Sequence, residues 1–438
     1  METDKTTLTD LSIFDAAEDF SVFAKFDLTR TTGGRDVLKY LYTHSLKTIE
    51  EIRDTQAILK LFIDNQQEWP LSISNGSIMM IYKFYETAVD QIPSTPSGTS
   101  AFYYKLFHGP DFGLVKYSAS HAFDFLKGMH SIIKLFEKQH VPAPLAKILA
   151  KAEKNMAKPN LQIVIKREKF VDLSTGEMLA FAAFIRYHYK QLFYELLHLY
   201  FQMDAWYGMA MAVKEFKLVF PEFIESSEPV LKAKGLYHSL ITEPVPYDVE
   251  LNNEKNFIFL TGANMAGKST FIKAVGGAVF LAHIGMGVPA AELKISLFDG
   301  LLSNINVIDN VVKGESYFFN EVRRIKDTVL KVMDKRKWLI LIDELFKGTN
   351  IQDAMKCSTV VIQGLIKVKH SLFILSTHLY EISDDLKPYQ NIDFKYFETG
   401  INGDDLKFSY QLKEGVSNDR FGYLILKNEK VTDLLDDI

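Results

Sequence analysis

Up to about residue 240, apolar positions recur at helical spacing, as in Val37, Leu38, Leu41, Leu46 and Ile49. The stretch from Gly176 to Phe220 carries no proline and crowds Leu179, Phe181, Phe184, Ile185, Tyr189, Phe193, Leu196 and Leu197 onto its faces. It predicts one long helix, or two in line. Further helices are expected over Ser118 to Gln139 and from Pro144 to about Met156, with a loop at Pro93, Pro96 and Gly98. From Asn256 the period changes. Phe257-Ile258-Phe259-Leu260, Trp338-Leu339-Ile340-Leu341-Ile342 and Leu372-Phe373-Ile374-Leu375 are continuous apolar runs bounded by polar residues, with helical patterns between them. Such alternation predicts a mostly parallel sheet covered on both faces. Asp393 to Phe397 and Leu406 to Leu412 alternate about Gly400-Ile401-Asn402-Gly403 and predict a β-hairpin. The expected fold is an all-α part over residues 1–235 followed by an α/β part over 236–438.

Composition narrows the class. The 438 residues carry a net charge of −5, and 47% are hydrophobic and 24% charged, which excludes wholesale disorder. A single cysteine, Cys357, excludes a disulfide scaffold and a cysteine-based zinc site, and it suits a reducing compartment. Met1 to Asp10 has neither the basic nor the apolar region of a secretory signal. The most membrane-like window, Ala274 to Leu293, contains His283, four glycines and Pro289, and reads as a buried helix running into a turn. A cytoplasmic protein without a membrane span is expected.

The chemistry concentrates after the first apolar run. Gly262-Ala263-Asn264-Met265-Ala266-Gly267-Lys268-Ser269 fits G-x-x-x-x-G-K-[ST] at every fixed position, follows an expected strand and opens an expected helix from Thr270 to about Ala282. Glycines let backbone N–H groups turn toward the β- and γ-phosphates, and the helix N-terminus adds favourable partial charge. Lys268 would neutralise phosphate oxygens, and the Ser269 hydroxyl would ligate Mg²⁺. Leu339-Ile340-Leu341-Ile342-Asp343-Glu344 is an apolar strand ending in two carboxylates. Asp343 would hold Mg²⁺, directly or through water, and Glu344 would orient the attacking water. Thr377-His378 follows the next apolar run; a polar group there can touch the γ-phosphate or serve structure alone.

Several segments together resemble the MutS family of DNA mismatch-repair ATPases. Thr261 to Thr270 is similar to TGPNMGGKST, Ile284 to Ala290 to IGxxVPA, and Gly314-Glu315-Ser316-Tyr317-Phe318-Phe319-Asn320-Glu321 to GxSTFxxE. Asp343-Glu344-Leu345-Phe346-Lys347-Gly348-Thr349-Asn350 resembles DEIGRGTS, and Ser376-Thr377-His378 with Glu381 resembles ATHxxEL. The five motifs fall in the family's order over roughly residues 243 to 425. Thr29 to Arg35 resembles the start of the family's core or lever domain, and the helices from about Glu177 to Phe220 resemble its levers.

The resemblance implies an ABC/MutS-type P-loop ATPase that uses ATP and Mg²⁺, with Asn264 lining the phosphates and His378 sensing the γ-phosphate. It makes Ser316 a signature serine that completes a neighbouring subunit's site in trans, and hence implies a homodimer. Glu321 falls on an acidic position to which no role is assigned. Pro244 to Asp248 resembles FVPND without its phenylalanine, so Tyr247 either stacks on adenine or packs. Ala263, Ala266, Phe346 and Lys347 also depart from the family's residues. The chain begins almost at the core domain. Mismatch-reading and connector domains, a full clamp between the levers, and a further carboxy-terminal nuclease or dimerisation domain are therefore not expected.

A DNA partner should leave an electrostatic footprint. The one clear concentration in the near-neutral first half includes Lys147, Lys151, Lys154 and Lys158, whose spacing puts them on one helix face. Such lysines contact a DNA backbone or form a solvated face. The leading expectation is an ATP-hydrolysing, dimeric, DNA-binding switch related to mismatch repair. The rivals are a MutS-like ATPase acting on branched DNA or a protein partner, and another P-loop enzyme such as a small-molecule kinase.

Overall fold

The computed structural model describes residues 1–15, 17–306, 317–402, 405–417, 426 and 430–436. The chain forms two compact units. One comprises Met1–Lys25, Ser45–Ile52 and Glu215–Ile438; the other comprises Phe26–His44 and Arg53–Lys214. No described helix is long and apolar enough to cross a membrane.

The first unit carries the sheets. In chain order its strands are β1 (Glu222–Ile224), β2 (Leu231–Leu236), β3 (Tyr247–Leu251), β4 (Phe257–Thr261), β5 (Glu292–Ser296), β6 (Gly300–Asn304), β7 (Trp338–Asp343), β8 (Leu372–Ser376), β9 (Ile392–Asn402) and β10 (Asp405–Glu414). Six of them form one sheet in the order β10-β9-β4-β8-β7-β6. Every pair in it is parallel except β10–β9. All positions of β4, β7 and β8 are buried, as expected of strands covered on both faces. Phe257, Phe259, Ile340, Ile342, Phe373 and Leu375 on one face pack with Ile325, Ala354, Ile362 and Leu386 of the covering helices. On the other face the helix Lys268–His283 lies so close that a Cβ on Gly276 would meet Leu341 and Leu11 at 2.6 Å. His283, fully buried in this helix, accepts from Phe298 N–H and bonds the Val279 carbonyl; burial holds it down at about 3, so it stays neutral.

Three features differ from the sequence reading. The hairpin strands extend through Gly400-Ile401-Asn402, which was assigned to the turn. A second, four-stranded sheet of order β1-β5-β2-β3 was not anticipated, nor was β6. The first residues pack with the sheets rather than with the helices: Glu2 bridges Gly300, and the buried Asp10 carboxylate accepts from Ser303 Oγ (2.6 Å) and Ile305 N–H (3.0 Å) at the end of β6.

The other unit is helical. The expected helix over 118–139 begins earlier, at Gly109, and ends at Phe136. The long apolar stretch is two helices, Thr175–His188 and Lys190–Glu215, meeting at the buried Tyr189. Asp204, fully buried in the second of these, accepts from the Arg30 and Thr31 N–H groups (3.0 and 2.9 Å) and from Thr31 Oγ1 (2.6 Å). Thr31 in turn caps the helix Thr32–Thr43 by accepting from Gly34 N–H. A Cβ on Gly34 would lie 2.1 Å from the Asp204 carboxylate, so glycine is required there for close approach. Burial raises the Asp204 pKa, against the pull of these hydrogen bonds.

Candidate active site

The carboxyl ends of β4, β8 and β7, three adjacent parallel strands, bring the sequence candidates together. Ligands of open parallel sheets bind beyond such ends. After β4 the chain turns through Gly262 (φ 141°), Met265 (φ 67°) and Gly267 (φ 109°). These left-handed conformations reverse the backbone before the helix Lys268–His283 starts, with no side chain capping its N-terminus.

The Lys268 ammonium folds back over the loop. Its Nζ donates to the carbonyls of Gly262 (2.9 Å) and Ala263 (3.0 Å) and lies 3.4 Å from His378 Nε2. Burial lowers its pKa to about 8, against the opposing pull of Glu344 and Asp343. Ser269 Oγ donates to Asp343 Oδ2 at 2.5 Å. Ser376 Oγ, which the sequence reading did not single out as a separate contributor, donates to the other oxygen, Asp343 Oδ1. A hydroxyl and a carboxylate in contact at a strand end are hard oxygen donors of the kind Mg²⁺ takes beside phosphates.

Glu344 follows at φ 63°, its N–H donating to the Ser376 carbonyl (3.0 Å). Its carboxylate lies 2.7 Å from His378 Nε2 and 3.1 Å from Lys347 Nζ. Burial works against the charged form, but His378 and Lys347 outweigh it and hold Glu344 at about 2. A carboxylate that stays ionised can accept a hydrogen bond from a water and aim it, and is a weak proton acceptor.

A cleft of about 440 Å³ opens beside these groups, lined by Asn264, Met265, Gly267 to Thr270, Glu344, Pro244, Tyr247 and Tyr410 among others. Tyr247 is nearly buried, edge-on to Phe271 and Phe397 at centroid distances of 5.4 and 5.6 Å. Tyr410, which sequence reasoning missed, is 40% exposed on the same cleft. It sits at φ 53° where the β9–β10 register shifts, and such a bulge re-aims a side chain. Only the hairpin pattern hinted at it.

Ser316 lies outside the described residues. Of the four candidate DNA lysines, Lys147, Lys151 and Lys154 are exposed on the helix Ala143–Met156, while Lys158 lies beyond its end. The single helix face therefore holds three lysines, not four. Lys151 is paired with Glu195 at 2.5 Å.

Comparison with known proteins points to the same family as the motif resemblance. Residues 258–433 match the family model described as MutS domain V. The DNA mismatch repair protein MutS of Petrotoga mobilis is 28% identical over 229 residues, 52% of this chain and 28% of that protein. DNA mismatch repair protein MSH3 of Candida glabrata is 31% identical over 217 residues, 47% of this chain and 21% of its own length. DNA mismatch repair protein spellchecker 1 of Drosophila melanogaster is 28% identical over 234 residues, 52% of this chain and 25% of its own. The chain thus corresponds to a minor share of each relative. With the sheet order, the loop and the paired carboxylates, these matches relate residues 258–433 to MutS domain V and support kinship of the chain with the MutS family.

Proposed function

We propose that this chain binds ATP with Mg²⁺ in the cleft beside β4, hydrolyses it to ADP and phosphate, and works as a dimeric DNA-binding switch related to mismatch repair. The observation that carries the reading is the meeting of Lys268, Ser269, Asp343, Glu344 and His378, up to 110 positions apart, at the ends of three adjacent strands. Lys268 and the loop N–H groups hold the phosphates. Ser269 and Asp343 would hold the Mg²⁺, which neutralises phosphate charge when bound. Glu344 aims the water, and His378 stands between Glu344 and Lys268 where it contacts both the carboxylate and the phosphate-binding ammonium. Catalysis then consists of positioning and electrostatic stabilisation of the transferring phosphoryl group. Tyr410 is better placed than Tyr247 to stack on the base, because Tyr247 is already packed between two phenylalanines. Lys147 and Lys154 offer the freest charges to a DNA backbone.

The test is phosphate release from Mg-ATP without any phosphate acceptor, together with binding to duplex, mismatched and branched DNA at two salt concentrations. Steady release with salt-sensitive DNA binding is expected. Release that needs a small-molecule acceptor would make the chain a kinase; release without any DNA binding would point to a protein partner.

A proton should accompany the nucleotide. An unfolded lysine titrates near 10.4 and Lys268 at about 8. Between these values the unfolded chain binds more protons, so stability rises with pH through that window, and the cost of the buried charge is fully present below it. Polyphosphate favours the charged ammonium and raises its pKa. Calorimetry at pH 8.5 in two buffers of different ionisation enthalpy should therefore show proton uptake on ATP binding. Equal heats in both buffers would count against Lys268 as the phosphate ligand.

A further inference from the structure

Glu321 is a buried carboxylate on the helix Tyr317–Val332, and the reaction described above makes no use of it. Its two oxygens accept from two successive backbone donors, Lys347 N–H (3.0 Å) and Gly348 N–H (3.1 Å). Those donors belong to the loop that follows β7 and begins with Glu344. The loop is not one that a chain adopts by default, since Glu344 and Phe346 are both left-handed without being glycine (φ 63° and 59°). Something must hold it. Lys347, anchored at its backbone by Glu321, sends its side chain back to Glu344, with Nζ 3.1 Å from Oε2. The contacts therefore run in series from Glu321 to the Lys347 backbone, through the Lys347 ammonium to Glu344, and on to His378.

We propose that Glu321 is a positioning residue that sets the Glu344 carboxylate through Lys347, so that turnover depends on a helix that does not line the cleft. The proposal rests on the reading of Glu344 as the group that aims the water. A carboxylate suits the task because both of its partners are donors. Glutamine has nearly the same volume but only one acceptor oxygen, and its NH₂ would face an N–H.

The experiment is a double-mutant cycle on the full chain, reading kcat, KM for ATP and the number of ATP-binding sites per chain. Glu321→Gln should lower kcat about tenfold, the scale of a displacement well under 1 Å at a reacting group, with KM within about twofold and site number unchanged. Lys347→Ala should lower kcat comparably. The double variant should be no slower than Lys347→Ala alone, because the two groups act in series. If Glu321→Gln binds substoichiometric ATP, Glu321→Asp, which keeps both acceptors on a shorter arm, takes its place in the cycle under the same criterion. Effects that multiply, or a lower melting temperature with kcat intact, would make Glu321 a structural brace only and overturn the proposal alone. A wild-type chain that releases no phosphate overturns the assignment of function and this proposal with it.

Discussion

Lys268→Ala is expected to lose ATP turnover by at least about 10²-fold, the scale seen when one preorganised charge-stabilising donor is removed. The ammonium is fixed over the loop by the carbonyls of Gly262 and Ala263 within 3.0 Å. Phosphate oxygens can replace those carbonyls without the side chain having to search for them. Alanine leaves the loop glycines intact and removes the only lysine among the described residues lining the cleft. The variant should still fold. A buried ammonium whose pKa is lowered to about 8 is a cost to the native state at neutral pH, and its removal offsets the two hydrogen bonds lost. Phosphate release and ATP affinity, measured beside the melting temperature, decide the point. Turnover within threefold of wild type would defeat the site assignment.

Glu344→Gln is expected to separate binding from chemistry. Glutamine keeps the shape and one acceptor but surrenders the charge that His378 at 2.7 Å and Lys347 at 3.1 Å hold in place. ATP affinity should stay within a fewfold, while hydrolysis falls about 10²-fold or more as the water loses its orienting partner. An ATP-bound state that does not turn over should accumulate as a dimer. Light scattering with and without Mg-ATP, repeated with a branched DNA duplex, reads both properties. ATP-dependent dimers that retain DNA support a switch that clamps DNA; dimers that ignore DNA leave the partner to be found. A chain that stays monomeric with ATP bound contradicts a site shared between subunits.

What could be read from residues alone followed from how local each signal was. β4, β7 and β8 are continuous apolar runs, so burial on both faces is written in a few consecutive positions, and the loop and carboxylates are anchored to their ends. β2 and β3 alternate cleanly, as in Leu231-Lys232-Ala233-Lys234 and Tyr247-Asp248-Val249-Glu250-Leu251, but each is short. The other neighbour of β2, β5, lies some sixty positions on, past β3, β4, the loop and a helix. Short charged strands whose partner is distant leave little trace in a linear pattern. Glu321, Ser376 and Tyr410 were legible as residues but not as parts of the site. Their placement beside it arises only when the fold brings segments distant in sequence together. Lys158 fitted the helical spacing of Lys147, Lys151 and Lys154, yet the helix stops at Met156, and spacing alone does not mark an end.

The phenylalanine at 346 stands where the resembling motif has glycine, and it ties the loop after β7 to a second aromatic. Its backbone is left-handed, which costs about 1–2 kcal/mol for an L-residue. Its ring is buried against Phe318, 5.7 Å away between centroids, and a lost buried phenylalanine costs about 3–5 kcal/mol. The second quantity exceeds the first. Phe346→Gly would relieve the backbone and still destabilise the protein, unless Phe318 or its neighbours changed to fill the space. The residue whose backbone suits the turn best is thus not the one the folded protein tolerates best, and positions 346 and 318 are coupled.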